Sequence, residues 1–94
     1  MATKNESVKY KHAERAAWRQ VDKEAVILDL ESSEYFSLNE VGVLIWEKLG
    51  QGADLDAAVE AVCEEYDVDE AKAKKDASAL IGELVKKKLL EVQK

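Results

Sequence analysis

The sequence predicts a small α+β domain in which a three-stranded antiparallel sheet is followed by three helices, a winged-helix-like arrangement. Three observations predict it. Apolar residues alternate over residues 16–38, recur at helical spacing over residues 39–87, and the alternating runs are separated by only three or four residues. A chain of 94 residues fits one domain and falls short of two. Residues 1–14 show neither period and are expected to form a flexible arm, leaving residues 15–94 as the single domain.

The first strand is the weak run "AAWRQV" from Ala16, turned by "DKE" into the stronger run "AVILDL". In that second strand Val26, Leu28 and Leu30 share one face, and Ala25, Ile27 and Asp29 share the other. "ESSE" reverses the chain into "YFSL", with Phe36 and Leu38 on one side and Tyr35 and Ser37 on the other. Connections this short cannot hold a parallel crossover, so the strands form a meander, and a meander has free edges. Phe36 and Leu38 are expected on the face that covers the helices.

Asn39 can cap the first helix by accepting a free amide of its first turn. Val41, Leu44, Ile45 and Leu49 follow at helical spacing with Trp46 beside them, and "GQG" at 50–52 ends the helix after about ten residues. Asp54 caps the second helix, whose stripe is Leu55, Ala58, Val59, Val62 and Tyr66. Cys63 lies beside that stripe and is expected to be a buried small hydrophobe. Asp69 opens a third helix running to about Lys87, with Ala73, Ala77, Leu80 and Leu84 on one line and Ile81 and Val85 on the next. Lys86, Lys87 and Lys88 complement the negative end of its dipole. "LLEV" closes the chain as a short extended piece or a loose end.

Composition narrows the function. No apolar run approaches the roughly 20 residues of a membrane span, and "MATKNESVKYKHAERAA" lacks the apolar centre of a signal peptide, so a cytoplasmic protein without membrane contact is expected. The net charge of -6 is uneven: residues 1–22 carry five Lys/Arg against three Asp/Glu, and the remainder carries nine against seventeen. An acidic body argues against binding the phosphate backbone of nucleic acid and in favour of a protein or peptide partner.

Catalytic chemistry is missing as well. Cys63 is the single cysteine, so neither a disulfide framework nor a Cys-rich metal site is expected, and no cofactor is implied. His12, the single histidine, falls in a polar stretch and is expected to be solvated. "GQG" follows a helix and lacks the Lys-Ser/Thr of a phosphate loop. Ser32, Ser33, Ser37 and Ser78 have no activating His or Lys, and carboxylates such as those in "DEAKAKKD" sit beside lysines on a solvated face. An acyl carrier protein is ruled out because "DASAL" puts Ser78 inside the third helix and the strands have no place in that fold. The chain is not expected to be an enzyme.

The run from Val26 to Leu90, "VILDLESSEYFSLNEVGVLIWEKLGQGADLDAAVEAVCEEYDVDEAKAKKDASALIGELVKKKLL", resembles the PqqD family, named for a protein of pyrroloquinoline quinone biosynthesis. The marks are Leu28-Asp29 ending a strand, an aromatic strand flowing into Leu38-Asn39, Ile45-Trp46 in the first helix, Glu65-Tyr66-Asp67 ending the second, and the segment from Leu84 to Leu90. The resemblance implies a non-catalytic peptide chaperone that captures the leader of a ribosomally made precursor peptide and presents it to a modifying enzyme, often a radical SAM maturase. It also implies that the leader adds as a strand beside the third strand and lies against the third helix. Glu34, Tyr35, Phe36 and Ser37 would then pair with the peptide backbone, with the Tyr35 side chain in contact. Lys74, Ser78, Ile81, Val85 and Lys88 would form the opposite wall. The turn "ESSEYF" departs from the Pro-Glu-Gly-type turn of members devoted to pyrroloquinoline quinone, which places this chain nearer the broader set of PqqD-like recognition proteins.

Two other classes compete. A winged-helix DNA-binding regulator would use the third helix in the major groove, but that helix carries Asp69, Glu70, Asp76 and Glu83 and has no Arg, the residue best suited to read guanine. A structural subunit would bind a folded partner with no leader present.

Overall fold

Alternation and capping produce the elements of the computed structural model, which describes residues 8–93. In chain order they are β1 (Lys9–His12), β2 (Ala16–Val21), β3 (Glu24–Asp29), β4 (Tyr35–Leu38), α1 (Glu40–Gly50), α2 (Leu55–Glu65), α3 (Glu70–Lys86) and β5 (Leu90–Gln93). Strands β2, β3 and β4 form the antiparallel meander in that order, with Ala17 opposite Leu28 and Leu28 opposite Tyr35. This is the α+β architecture of three strands and three helices that the periodicities predict.

Each helix starts at a carboxamide or carboxylate. Asn39 Oδ1 accepts from the Gly42 amide at 2.8 Å, Asp54 Oδ1 from Ala57 at 2.9 Å and Asp69 Oδ2 from Lys72 at 3.3 Å. The core lies between the inner face of the meander and the helices. Ile27 meets Ile45, Trp46 and Leu49 of α1 there, all at most 2% exposed, together with Val62 of α2 and Leu84 of α3. Cys63 is half-buried against this core.

The chain ends differ from the sequence expectation. Residues 1–7 of the expected arm lie outside the described residues, but Lys9–His12 form β1 and pair antiparallel with β5, His12 opposite Leu90 and Lys9 opposite Gln93. His12 is not solvated. Its ring stacks on Trp46 at 3.6 Å and 5°, its Nε2 lies 2.8 Å from the Trp46 carbonyl oxygen, and Trp18 meets it edge-on. A Cβ on Gly50 would come within 2.6 Å of the imidazole, so the absence of a side chain there makes room for the ring. Tyr10 and His12 face inward while Lys9 and Lys11 face solvent, an alternation that four mostly polar residues conceal.

Helix α3 stops in a Schellman turn. Lys88 takes the left-handed conformation at φ 64°, its amide donates to the Val85 carbonyl, and the Leu89 amide donates to the Leu84 carbonyl, each at 3.0 Å. The turn redirects the chain into β5, and it takes Lys88 off the helix.

Candidate functional site

Within the meander β4 pairs with β3 alone, so its other side is a free edge. The phase of its hydrogen bonds follows from one contact. The Asp29 amide donates to the Glu34 carbonyl at 2.9 Å, so positions 29 and 34 form a hydrogen-bonded pair, and so does the next such pair along the ladder, Ile27 with Phe36. The amides and carbonyls of Tyr35 and Ser37 therefore point away from β3, toward the open side.

A groove runs along that side. Its larger part, a cavity of about 350 Å³, is lined by the consecutive β4 residues Phe36, Ser37 and Leu38, by Val41 and Ile45 of α1, and by one face of α3. Successive strand residues point to opposite faces, so three in a row can border one cavity only if it lies along the strand's edge. The α3 face is Lys72, Ala73, Asp76 and Leu80, where Lys72 and Asp76 make a 3.3 Å ion pair at the rim. A second hollow of about 220 Å³ shares Phe36 with the first and reaches Tyr35 and Glu34, where Lys87 closes the wall with its Nζ 6.0 Å above the Phe36 ring.

An ion pair fixes the turn that leads into β4. Arg15 donates from Nε to Asp29 Oδ1 at 3.0 Å and from Nη2 to Oδ2 at 3.1 Å, while the Glu31 amide donates to Oδ1 at 2.9 Å. The Arg15 guanidinium holds the Asp29 carboxyl well below the usual carboxylate range, and the amides of the turn act in the same direction. Asp29 is only 6% exposed, so its charge is satisfied inside the fold rather than offered to a ligand. Ser33, at φ 64°, completes the reversal.

The residues expected at the site separate into two groups. Glu34, Tyr35, Phe36 and Ser37 lie together along the groove, Tyr35 at 76% exposure and Phe36 half-buried. The α3 residues do not face them. Ser78, Ile81 and Val85 line a separate cavity of about 340 Å³ on the other flank of α3, together with Tyr10, Leu55 and Val92. Lys74 and Lys88 are exposed and line neither groove. The wall opposite β4 is formed instead by Lys72, Ala73, Asp76, Leu80 and Lys87, of which Ala73 and Leu80 share a stripe in the sequence. The sequence signal for this face is the place of Leu80 at the margin of the apolar stripe, on the side of Lys72 and Asp76.

Among the described residues, no group of three or more His, Cys, Asp and Glu side chains is placed to hold a metal ion, and no helix is long and apolar enough to cross a membrane. What the groove offers is an unpaired strand edge beside an apolar cavity with a charged rim.

Solved structures share this fold. TbiB1 in complex with the TbiA(beta) leader peptide superposes with a TM-score of 0.79 at 34% identity, covering 86% of this chain and 94% of that one. A lasso peptide synthetase B1 complexed with the leader peptide gives a TM-score of 0.79 at 27% identity, covering 87% of this chain and 96% of that one. No curated protein matches the chain. The sequence matches the family described as coenzyme PQQ synthesis protein D (PqqD) over residues 24–90, a span that begins with β3 and ends at the first residue of β5, and on that match the chain belongs to the PqqD family.

Proposed function

We propose that this chain is a non-catalytic peptide chaperone that binds the leader of a ribosomally synthesised precursor peptide along β4 and presents it to a modifying enzyme. A radical SAM maturase fits that role, in pyrroloquinoline quinone biosynthesis or a related modified-peptide pathway. The observation that carries the reading is the free β4 edge, with the backbone groups of Tyr35 and Ser37 turned into a groove that α3 closes. A leader strand would take up to four hydrogen bonds there, two from amides and two to carbonyls, and place alternate side chains in the cavity beside Leu80. The two solved structures of similar fold, both complexed with leader peptides, support the same use of this chain.

A peptide burying about 1,200 Å² in total lies at the low end of stable interfaces, and ordering a flexible leader offsets much of its contact energy. An affinity near micromolar is expected. The test is a proton–nitrogen NMR titration of the labelled protein with the synthetic leader of a precursor encoded beside it. Shifts should concentrate in residues 34–38 and on Lys72, Ala73, Asp76, Leu80 and Lys87. Shifts centred on Tyr10, Ser78, Ile81 and Val92 would move the site to the other flank of α3, and a silent spectrum at about millimolar peptide, well above the expected affinity, would end the chaperone reading.

A further inference from the structure

Glycine inside a helix is less stable than any residue but proline, and a fold that keeps one there commonly needs a special dihedral or a close approach. Neither holds at Gly82 within α3, whose φ is not positive and where an added Cβ would meet nothing within 4 Å. The missing side chain instead leaves open the α3 wall of the cavity of about 340 Å³ against the β1–β5 ribbon. That cavity is walled by apolar groups, Tyr10 and Val92 of the ribbon and Ile81 and Val85 of α3. Two of the five exposed large hydrophobic residues among those described, Val8 and Val92, belong to this end of the molecule, and Val92 is in the cavity wall. An open apolar groove with exposed hydrophobes at its margin marks a surface that a partner covers. The charge along its α3 rim runs against the rest of the body. Residues 23–94 carry nine Lys/Arg against seventeen Asp/Glu, yet Lys74, Ser78, Gly82 and Lys86 follow one i, i+4 row of α3, with Lys75 beside it and no carboxylate among them. The three lysines are exposed, and none forms an ion pair among the described residues. Asp76 and Glu83 fall on the other half of the helix, and Glu70 stands in its first turn, ahead of the row.

We propose that this groove holds an acidic amphipathic helix of a partner protein, laid along α3. Its apolar side would rest on Val85 and Val92, a small residue would lie against Gly82, and carboxylates would reach Lys74 and Lys86, which are about 18 Å apart along the helix. The occupant is a helix because of what the groove lacks. Tyr10 and Val92 are cross-strand partners that meet the cavity with their side chains, so no unpaired strand edge borders it. A guest must therefore satisfy its own amides and carbonyls, as a helix does, and dock through side chains spaced at i, i+3 and i+4. Gly82 then lets two helix backbones approach closely. Acidic margins follow from the lysine row, since a basic helix would meet three unpaired cations and an acidic one would neutralise them. The groove lies on the flank of α3 away from the β4 edge, so the proposal stands whether or not a leader binds there, and both places can be filled at once.

The test is a proton–nitrogen NMR titration of the full labelled chain with a helix-constrained synthetic peptide of about 15 residues, leucine and alanine on one side and glutamate along both margins. Shifts should centre on Ser78, Gly82, Val85 and Val92, with a dissociation constant on the order of 100 µM that rises with salt. The same peptide with lysine in place of glutamate should bind about tenfold more weakly or worse. Gly82→Leu fills the groove and should abolish the shifts, while its urea midpoint should not fall, because the new side chain enters open space and replaces a glycine. Lys74→Glu combined with Lys86→Glu leaves the groove's shape unchanged, both positions being exposed, and should weaken binding about tenfold. No shifts at this flank with about 1 mM acidic peptide, roughly ten times the expected constant, overturn the proposal. So does equal binding of the lysine peptide, or wild-type affinity in either variant.

Discussion

Helix α3 has a groove on each flank, and the two are nearly equal in volume, about 350 Å³ against β4 and about 340 Å³ against the β1–β5 ribbon. Size does not distinguish them. The first is bordered by Phe36, Ser37 and Leu38 in succession and so follows a strand's edge, where backbone groups are unpaired. The second is bordered by Tyr10 and Val92, which are cross-strand partners and therefore belong to one face of the ribbon, whose backbone is not presented to the cavity. One flank can extend its sheet by a strand. The other can only hold side chains.

The sharpest way to break that comparison acts on a single amide. Ser37 points its amide to the open edge, so Ser37→Pro removes a donor that no ladder bond uses, and proline is tolerated on edge strands for that reason. The variant should fold and lose about 50-fold in leader affinity, roughly 2 kcal/mol, the value of one or two backbone hydrogen bonds plus the clash of the ring with an added strand. Phe36→Pro is the control. Its amide belongs to the pair with Ile27, so this change should unfold the sheet edge rather than spare it. Circular dichroism and fluorescence anisotropy of a labelled leader separate the two outcomes, and equal affinity for Ser37→Pro and wild type would remove strand addition from consideration.

On the ribbon flank the corresponding lever is stability. His12→Ala deletes the stack on Trp46 and the hydrogen bond to its carbonyl, at a cost of about 2 kcal/mol. Leader affinity of the folded fraction should stay within about twofold, a range set by less than 0.5 kcal/mol, because nothing in the β4 groove touches the imidazole. Urea unfolding and anisotropy read the two quantities independently. A parallel loss of both would show that the ribbon and the groove are one unit.

The meander and helices were legible because each is written locally, in "AVILDL", in "YFSL", and in the caps Asn39, Asp54 and Asp69. The ribbon was not, because β1 and β5 lie at opposite ends of the chain and each has only four residues. A period of two over "KYKH" acquires meaning only when the partner strand is known, and the seat of His12 depends on Trp46 and Gly50, which are far from it in sequence. That Glu34, Tyr35, Phe36 and Ser37 lie along an open strand edge was legible for the same local reason. The α3 face that borders β4 was not legible: the periodicity marks the stripe of α3 but not how the helix is rotated about its axis, which is set by packing Ala73, Ala77 and Leu84 against α1 and α2. That rotation turns Leu80, not Ser78 or Val85, toward β4.

Two matched substitutions test the rotation directly. Leu80 and Val85 are both half-buried on α3, one facing each groove. Leu80→Asp should weaken leader binding about tenfold, or 1.4 kcal/mol, by placing a charge where an apolar side chain docks. Val85→Asp should cost similar stability and leave affinity within about twofold. The reverse result in the anisotropy titration would return the site to the ribbon flank.

Lys88 supplies the smallest effect and the most specific one. Had α3 continued through it, Lys88 would extend the wall of a groove; instead it holds the left-handed position of the Schellman turn, where a side chain is strained and glycine is not. Lys88→Gly therefore removes a charge and relieves a backbone conformation at once. If its role is only to turn the chain toward β5, the variant should gain about 0.5–1 kcal/mol in urea unfolding with leader affinity unchanged. If the ammonium instead reaches the peptide, the same variant should bind more weakly, and the loss should shrink as salt is raised, since an exposed ion pair is screened. The sign of the stability change and the salt dependence of affinity thus distinguish a residue that shapes the end of α3 from one that contacts the leader.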